Sequence, residues 1–450
     1  MKNETKLTAA SYLTIGSMLF GLFFGAGNLI FPVHMGQLAG AEVHSAIIGF
    51  LVTGIGLPFL GIVAMGITNS NSLFDLASRV HPIHAYFMTI ALYLTIGPFF
   101  ATPRLATTSF EVGFSSYVPE NYRTIALAVF TLLFFGTALL LSLKPTKILM
   151  YVGKVLNPLF LVFLGILIIT AFIRPLGSIN DVMVSEPYTA APFVNGFLEG
   201  YNTMDALASL AFGVIVIQTI KDLGVTKPSQ IALDTIKSGF LSVVLMGIIY
   251  ASLAYLGTMS IGKFPISENG GIALAQISNY YFGTFGSILL AVIVTVACLK
   301  TAIGLITAGS EMFHEMFPKL LSYKGYVVVL SVVSGVVANV GLTSIIAYSL
   351  PVLMLLYPFA ITLILLAILS PLFKNRQIVY VCTTLFTLPV SLADFFKAAP
   401  AFLSDYNWIQ NSLAFLTEHL PLFEVGLGWI IPSLIGFLIG WGISLVKKTA

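Results

Sequence analysis

The N-terminal part of the chain contains a long apolar segment that is interrupted by glycine. From Leu7 to Ala41 there is no Asp, Glu, Lys or Arg, and the centre of this run reads LTIGSMLFGLFFGAGNLIFP (13–32). Such a run is long enough to cross the roughly 30 Å hydrocarbon layer of a bilayer. Four glycines lie within residues 13–32: Gly16, Gly21, Gly25 and Gly27. Each costs a helix interior about 0.8–1 kcal/mol relative to alanine, so the GAGN sequence at 25–28 predicts a break in the middle of a membrane-spanning helix.

A break in such a helix has a chemical consequence. It frees backbone N–H and C=O groups, which lipid cannot satisfy and which only protein, water or a ligand can. Glycine is also frequent where membrane helices approach each other closely, and Gly16 and Gly21 fit that interpretation equally well. Two close glycines followed by an amide, at Gly25, Gly27 and Asn28, favour unwinding. The segment therefore predicts a binding cavity at the middle of the membrane.

The composition places the whole chain among membrane proteins. Of 450 residues, 58% are hydrophobic and 9% are charged, whereas soluble proteins average about 25% charged residues. The first apolar run is too long for a signal peptide and is followed by no small-residue cleavage site, so we expect it to be retained. Cys298 and Cys382 both lie in apolar runs, which indicates neither a disulfide framework nor a metal cluster. Nucleotide-binding motifs are absent, which argues against an ATP-driven pump.

Apolar runs separated by short polar loops predict twelve membrane spans. They cover approximately residues 10–36, 42–67, 82–110, 122–143, 148–173, 193–220, 231–259, 285–313, 325–341, 343–370, 377–397 and 426–446. If both termini lie in the cytoplasm, the cytoplasmic loops, termini and span ends together hold fifteen Lys and Arg residues, and the outer loops and span ends hold four. This positive-inside bias predicts that both termini are cytoplasmic. We expect all twelve spans to form a single transmembrane domain that covers residues 1–450.

A second interrupted span lies where an inverted repeat would place it. The sixth run reads FVNGFLEGYNTMDALASLAFGVIVIQ (193–218), with polar residues around Gly200 between two apolar halves. Glycine-interrupted spans at corresponding positions of two halves are the best sequence indication of a transporter site at the bilayer midplane. We therefore expect two five-span repeats, at about residues 8–173 and 193–370, followed by two accessory helices at about 377–446.

The two breaks together offer what a zwitterionic amino acid needs. The N-terminal end of a half-helix carries partial positive charge, and unwound carbonyls carry partial negative charge. We expect the backbone of residues 25–27 to bind a carboxylate, and carbonyls of residues 22–23 and 201–203 to bind an ammonium. The predicted substrate-binding residues are Phe23, Phe24, Gly25, Ala26, Gly27, Asn28, Tyr201, Asn202, Thr203 and Met204. Tyr93 is a further candidate for the apolar part of the pocket.

Charged residues inside membrane spans are costly and are functional by default. Lys300 lies roughly 18 Å of helix from either end of its span, so we expect it to be paired or deprotonated. Asp205 is the natural partner, and it is equally well explained as the N-cap of the second half-helix of span six. Arg104 and Glu111 lie seven residues apart on one helix face. They are candidates for a gate, and a structural ion pair explains them equally well.

Four stretches carry a family likeness: MLFGLFFGAGNLIFP (18–32), IGPFFATPRLATTSFE (96–111), EGYNTMDALASLAFG (199–213) and ACLKTAIGL (297–305). Together they resemble the branched-chain amino acid:cation symporter family, the bacterial system II carriers for leucine, isoleucine and valine. The resemblance implies an all-α integral membrane protein with the LeuT-like five-plus-five inverted repeat, located in the bacterial plasma membrane. It also implies a symporter that imports these amino acids by alternating access.

One departure from the wider fold bears on the coupling ion. Sodium-coupled relatives of the LeuT-like fold bind an ion between the first and eighth spans, using hydroxyl side chains of an A-x-x-T-S pattern in the eighth. The similar stretch here is ACLKT (297–301), so Lys300 stands where a hydroxyl ligand would be. Its ammonium would replace the cation against carbonyls of the first span, which favours proton coupling. The predicted coupling residues are Gly21, Phe24, Ala297, Lys300, Thr301 and Asp205.

Alternatives remain open at this point. Sodium could drive the same transport if Lys300 points elsewhere and Asn28 with neighbouring carbonyls holds the ion, and another small neutral amino acid could be the substrate. An intramembrane enzyme or a channel is disfavoured because the sequence has no H-E-x-x-H motif, no paired histidines and no repeated pore ring. We expect an amino acid and the lipid bilayer as partners, with no cofactor, metal, nucleic acid or obligate protein partner.

Overall fold

The structure is a computed structural model that describes residues 7–25, 27–143 and 148–446. Every regular element in these ranges is helical. The first half of the chain forms α1 (Ala9–Phe23), α2 (Gly27–Ala39), α3 (Val43–Leu51), α4 (Leu57–Thr68), α5 (Leu73–Ser78), α6 (Pro82–Leu94), α7 (Ala101–Gly113), α8 (Arg123–Leu143), α9 (Ile148–Ile173) and α10 (Glu186–Ala190). The second half forms α11 (Pro192–Glu199), α12 (Asp205–Asp222), α13 (Pro228–Ser260), α14 (Gly270–Met316), α15 (Tyr323–Ala338), α16 (Leu342–Leu369), α17 (Gln377–Ala398), α18 (Ala401–Ser404), α19 (Asn407–His419) and α20 (Ile430–Val446).

Much of this helical structure is long and apolar enough to cross a membrane. In the described ranges seven continuous helical stretches meet that criterion. Two of them, Gly27–Thr68 and Pro82–Gly113, each contain more than one of the helices named above. The bent pair formed by α11 and α12 makes an eighth. Four shorter apolar helices accompany them: Ala9–Phe23, Leu161–Ile173, Tyr323–Ala338 and Ile430–Val446. The chain is therefore an all-helical membrane protein. The count of twelve spans stays a prediction, although each of the twelve apolar runs falls on helical structure.

The first span is broken where its glycines predict. Helix α1 ends at Phe23, Phe24 is extended with φ −75° and ψ 95°, and α2 begins at Gly27. The N–H of Phe24 still donates to the carbonyl of Phe20, at 2.8 Å, so α1 ends with a regular last turn. Ala26, which the sequence placed in the break, lies outside the described residues. The prediction of an interrupted first span is confirmed.

The sixth span is broken as well, and the break bends it by 47°. After α11 the chain makes one 3₁₀ turn over Gly200–Thr203, and Met204 then adopts a left-handed conformation with φ +60° before α12 begins. A non-glycine residue in that region costs about 1–3 kcal/mol. Met204, and not Asp205, occupies the N-cap position of α12, and the hydroxyl of Thr203 accepts the N–H of Asp205 at 3.3 Å. The interpretation of Asp205 as the N-cap is therefore wrong, and its carboxylate is available for other contacts.

Helix α13 packs along both halves of the broken first span. A Cβ on Gly36 of α2 would lie 1.9 Å from the carbonyl oxygen of Ala254, and a Cβ on Gly257 would lie 2.0 Å from that of Val33. On the other half, a Cβ on Gly16 would lie 2.6 Å from the carbonyl oxygen of Ser238. Gly16 thus serves close helix packing, which is one of the two roles the sequence left open for it. These contacts hold α1 and α2 in place on either side of the break.

A substitution at this contact tests the packing. We expect Gly36→Ala to destabilise the protein by about 1–3 kcal/mol, because the added methyl group forces α2 and α13 apart. The measurement is the melting temperature of the purified protein in detergent. The matched control is Gly442→Ala, where a Cβ would meet nothing within 4 Å and alanine favours the helix. Equal melting temperatures for the two variants would contradict the close contact.

Candidate functional site

A cavity of about 60 Å³, which we call the central cavity, lies between the two helix breaks. Residues from both breaks line it, together with side chains of α7, α12 and α14. The lining residues are Leu22, Phe23, Gly25, Gly27, Asn28, Ile96, Ala101, Arg104, Leu105, Thr203, Met204, Asp205, Ala208, Phe212, Thr301 and Leu305. Its volume is well below the roughly 300–1,000 Å³ of ordinary small-molecule pockets. The cavity must therefore widen to admit a substrate.

The side chain of Asn28 joins the two breaks. Its Oδ1 accepts a hydrogen bond from the N–H of Gly25 at 2.9 Å, so Asn28 satisfies a backbone group within the first break. Its Nδ2 donates to Oδ2 of Asp205 at 2.5 Å and to the hydroxyl of Tyr250 on α13. Asn28 and Asp205 are only 2% and 5% exposed. One buried amide thus connects the first span, the sixth span and the helix that packs on the first.

Arg104 is the cation that reaches this cavity. It is 3% exposed, and its guanidinium carbon lies 4.8 Å from the centre of the Phe31 ring on α2. Its Nη2 lies 3.3 Å from the point where a Cβ on Gly27 would stand. Upstream, a π-helical turn at Thr95–Phe99 with a kink at Gly97 (φ −88°, ψ −121°) separates α6 from α7. This kink sets the direction of the helix that presents Arg104 to the first break.

Arg104 and Glu111 do not act together in this conformation. Arg104 lines the cavity, whereas Glu111 lies two turns further along α7, where its Cβ is 3.2 Å from the place of a Cβ on Gly271. The described residues contain no ion pair between the two side chains, and Oε2 of Glu111 is buried with no hydrogen-bond partner there. The structural ion pair weighed from the sequence is absent, and a joint gating role stays a prediction.

The predicted substrate-binding residues divide into two groups. Those that line the cavity are Phe23, Gly25, Gly27, Asn28, Thr203 and Met204. Phe24 instead stacks on Phe20, with ring centres 4.9 Å apart, and Tyr201 stacks on Tyr357 at 3.9 Å. Asn202 faces a different cavity, and Ala26 is outside the described residues. Tyr93 packs edge-on against Phe313 and is not a lining residue.

The predicted coupling residues also divide. Asp205 and Thr301 line the cavity, whereas Gly21, Phe24, Ala297 and Lys300 do not. No ion pair joins Lys300 to Asp205 within the described part of the chain, and Oδ2 of the carboxylate accepts a hydrogen bond from Asn28. Lys300 precedes Thr301 on α14 and is partly buried. Its role in coupling stays a prediction.

Sequence reasoning missed the apolar side of the cavity. Six lining residues on three helices and the π-helical turn before α7 were not anticipated: Ile96, Ala101, Leu105, Ala208, Phe212 and Leu305. They are ordinary apolar residues of membrane spans, so the sequence carries no signal that separates them from lipid-facing ones. Tyr250 was missed too, although a tyrosine in the middle of the long apolar α13 is itself a signal that its hydroxyl has a buried partner.

A second and larger cavity, of about 510 Å³, lies on the other side of the 3₁₀ turn. We call it the vestibule; the positive-inside bias predicts that it faces outwards. Its polar lining includes Glu199, Asn202, Asp394 and Lys397. Asn202 faces the vestibule while the next residue, Thr203, faces the central cavity. A single turn of chain thus lies between the two spaces.

Comparison with known proteins assigns this arrangement to a family. Residues 8–447 match the family described as branched-chain amino acid transport protein. The chain belongs to this family. It is 49% identical to the branched-chain amino acid permease BrnQ of Lactobacillus delbrueckii subsp. lactis over 97% of each chain, and 46% identical to BrnQ of Bacillus subtilis over 98% of each. It is 38% identical to the branched-chain amino acid transport system 2 carrier protein of Pseudomonas aeruginosa, over 97% of this chain and 96% of that one.

Solved structures agree on the fold. The chain superposes on Mhp1, a nucleobase-cation-symport-1 family transporter in a closed conformation, with a TM-score of 0.59, 13% identity and coverage of 97% of this chain and 93% of that chain. It superposes on a manganese transporter of Eremococcus coleocola with a TM-score of 0.54, 14% identity and coverage of 98% of each chain. At such identities the likeness concerns the fold alone. The family and the named permeases, and not these structures, show that the chain is a multi-pass membrane transporter and not an enzyme.

The connection through Asn28 can be tested by removing it. We expect Asn28→Ala to lower leucine uptake into proteoliposomes at least tenfold, because the N–H of Gly25 and the carboxylate of Asp205 lose a buried partner worth about 1–3 kcal/mol each. Tyr250→Phe, which removes one hydroxyl from the same network, should have a smaller effect. Uptake by Asn28→Ala at the wild-type rate would show that the two breaks need no such connection.

Proposed function

We propose that this protein is a secondary active symporter that imports leucine, isoleucine and valine across the bacterial plasma membrane. The observation that carries the proposal is the central cavity between the two helix breaks, in a chain that belongs to a branched-chain amino acid transport family. The driving force in this proposal is the proton motive force. Transport proceeds by alternating access, with both termini in the cytoplasm and two inverted five-span repeats around the site.

The lining of the cavity suits a zwitterion with a branched alkyl side chain. Its polar groups, Asn28, Asp205 and Arg104, meet at the two breaks, whereas α7, α12 and α14 contribute mainly apolar side chains. The apolar lining includes Ile96, Leu105, Phe212 and Leu305. A site with charge at one end and hydrocarbon at the other favours leucine, isoleucine and valine over small polar amino acids. Another small neutral amino acid is the alternative substrate.

The side chains near the two breaks support proton coupling. Asp205 is a buried carboxylate in the cavity, and Lys300 stands beside Thr301, where sodium-coupled carriers of this fold place a hydroxyl. The sodium alternative invoked Asn28 as a ligand. Its amide nitrogen, which cannot bind a cation, faces Asp205 and Tyr250, while its oxygen accepts the N–H of Gly25. These contacts make Asn28 a poor sodium ligand in this conformation.

Imposed ion gradients test the coupling. We expect proteoliposomes to accumulate leucine under an inward proton gradient without sodium, and we expect Lys300→Thr to lose this uptake or to make it sodium-dependent. The measurement is radiolabelled leucine uptake under a pH gradient alone and under a sodium gradient alone. Lys319→Thr, which changes an exposed lysine, is the matched control. Wild-type uptake driven only by sodium would contradict proton coupling and leave the amino acid substrate standing.

A single enlargement of the lining tests the apolar pocket. Ala208 lies in the first turn of α12 and faces the cavity, so we expect Ala208→Leu to fill the space that the substrate side chain needs. Leucine should lose more uptake than valine, by about tenfold in the ratio of their kcat/KM values, since one methylene group is worth about 1–3 kcal/mol in such a pocket. Equal losses for the two substrates would place the side-chain pocket elsewhere.

A further inference from the structure

Arg104 is a buried charge near Asp205 and Glu199, which interact with it electrostatically, but neither carboxylate forms a direct ion pair with it. It is 3% exposed, and its Nη1 is buried with no hydrogen-bond partner among the described residues. The described residues also contain no ion pair to it within hydrogen-bonding range. A charged side chain at membrane depth is expensive and is retained where it does something. A guanidinium that lines a cavity and has an unpartnered nitrogen can therefore hydrogen-bond a group that arrives from outside the protein.

The position of the guanidinium indicates which kind of group that is. It lies over the ring of Phe31 at 4.8 Å, and its Nη2 lies against Gly27, the first residue of α2. The first turn of a helix has N–H groups without partners inside the helix and carries partial positive charge. Two independent sources of positive potential thus meet at one point of the cavity. A planar guanidinium there matches a carboxylate, which it binds with two parallel hydrogen bonds.

The opposite charge lies on the same cavity. Asp205 lines it, and the hydrogen bond from Asn28 goes to Oδ2 of this carboxylate. Gly25, by contrast, has given its N–H to Asn28, so it is not available to a ligand in this conformation. Of the backbone donors that the sequence favoured for a carboxylate, the N–H of Gly25 is therefore occupied in this conformation, and the wider prediction stays untested.

We propose that Arg104, together with the first turn of α2 at Gly27, binds the α-carboxylate of the transported amino acid, while Asp205 receives its ammonium group. The inference deepens the proposed function and rests on it. It assigns to Arg104 the discrimination between free amino acids and analogues that lack the carboxylate. Phe31 holds the guanidinium in place by lying beneath it.

The test compares leucine with leucinamide, which keeps the ammonium and the side chain but has no carboxylate. Purified wild-type protein in detergent is incubated with tritiated leucine, and each unlabelled compound is used as a competitor. We expect leucine to bind about 10- to 100-fold more tightly than leucinamide, as the loss of charge-assisted hydrogen bonds implies. In Arg104→Gln this ratio should fall close to one. Arg123→Gln, which changes an arginine outside the cavity, should keep the wild-type ratio.

Two milder variants decide the matter if Arg104→Gln does not fold. Arg104→Lys keeps the charge but loses the two parallel bonds, and Phe31→Leu keeps the arginine but removes the ring beneath it. Both variants should lower this binding ratio several-fold, chiefly because they weaken the binding of leucine. An unchanged ratio in every folded variant would overturn the assignment of Arg104 while leaving leucine as the substrate. Failure of the wild type to bind leucine would instead overturn the proposed function.

Discussion

The side chain of Asn28 carries the hydrogen bonds on which the rest of the site depends. Two helices break at the middle of the protein, and each break exposes polar groups that hydrocarbon cannot satisfy. Asn28 satisfies the N–H of Gly25 in the first break and holds Asp205 at the end of the second, with Tyr250 as a third partner. Because Asn28, Asp205 and Tyr250 are buried and Gly25 is partly buried, losing one of these groups leaves another unsatisfied. The network therefore fixes the position of the two breaks relative to each other.

The same constraint bears on how the protein can move. Gly36 and Gly257 let α2 and α13 touch backbone to backbone, so this part of the molecule has little freedom. The 3₁₀ turn at Gly200–Thr203 is different, because it is a single turn with the central cavity on one side and the vestibule on the other. A substrate that passes from the vestibule to Asp205 has to displace this turn or go around it. In the proposed alternating-access cycle, this turn is therefore a place where the structure can rearrange.

Much of this could be predicted from the sequence, for physical reasons that differ between residues. The break after Phe23 follows from glycine and lipid chemistry, and the importance of Asp205 follows from the cost of a charge in a membrane. The direction of Tyr201 and Phe24 could not be predicted, because both rings have aromatic neighbours from distant helices. The apolar lining at Ala208 and Phe212 could not be predicted either. The periodicity and hydropathy of a span do not distinguish residues that face a cavity from residues that face lipid.

The role of Arg104 shows the limit most clearly. Its spacing from Glu111 suggested a pair on one helix face, and only the kink at Gly97 and the ring of Phe31 reveal that it belongs with the first break. A spacing within one helix says nothing about the helix opposite. Only the tertiary contacts show that Arg104, which the sequence had already indicated as a candidate, lies at the first break.

The central claim is that the substrate binds between the two breaks, and a structure determined with leucine bound tests it most directly. The predicted result is leucine in the central cavity, with its ammonium at Asp205, its carboxylate at Arg104 and its side chain towards Phe212. Leucine bound only in the larger vestibule, beside Asn202 and Asp394, would contradict the claim.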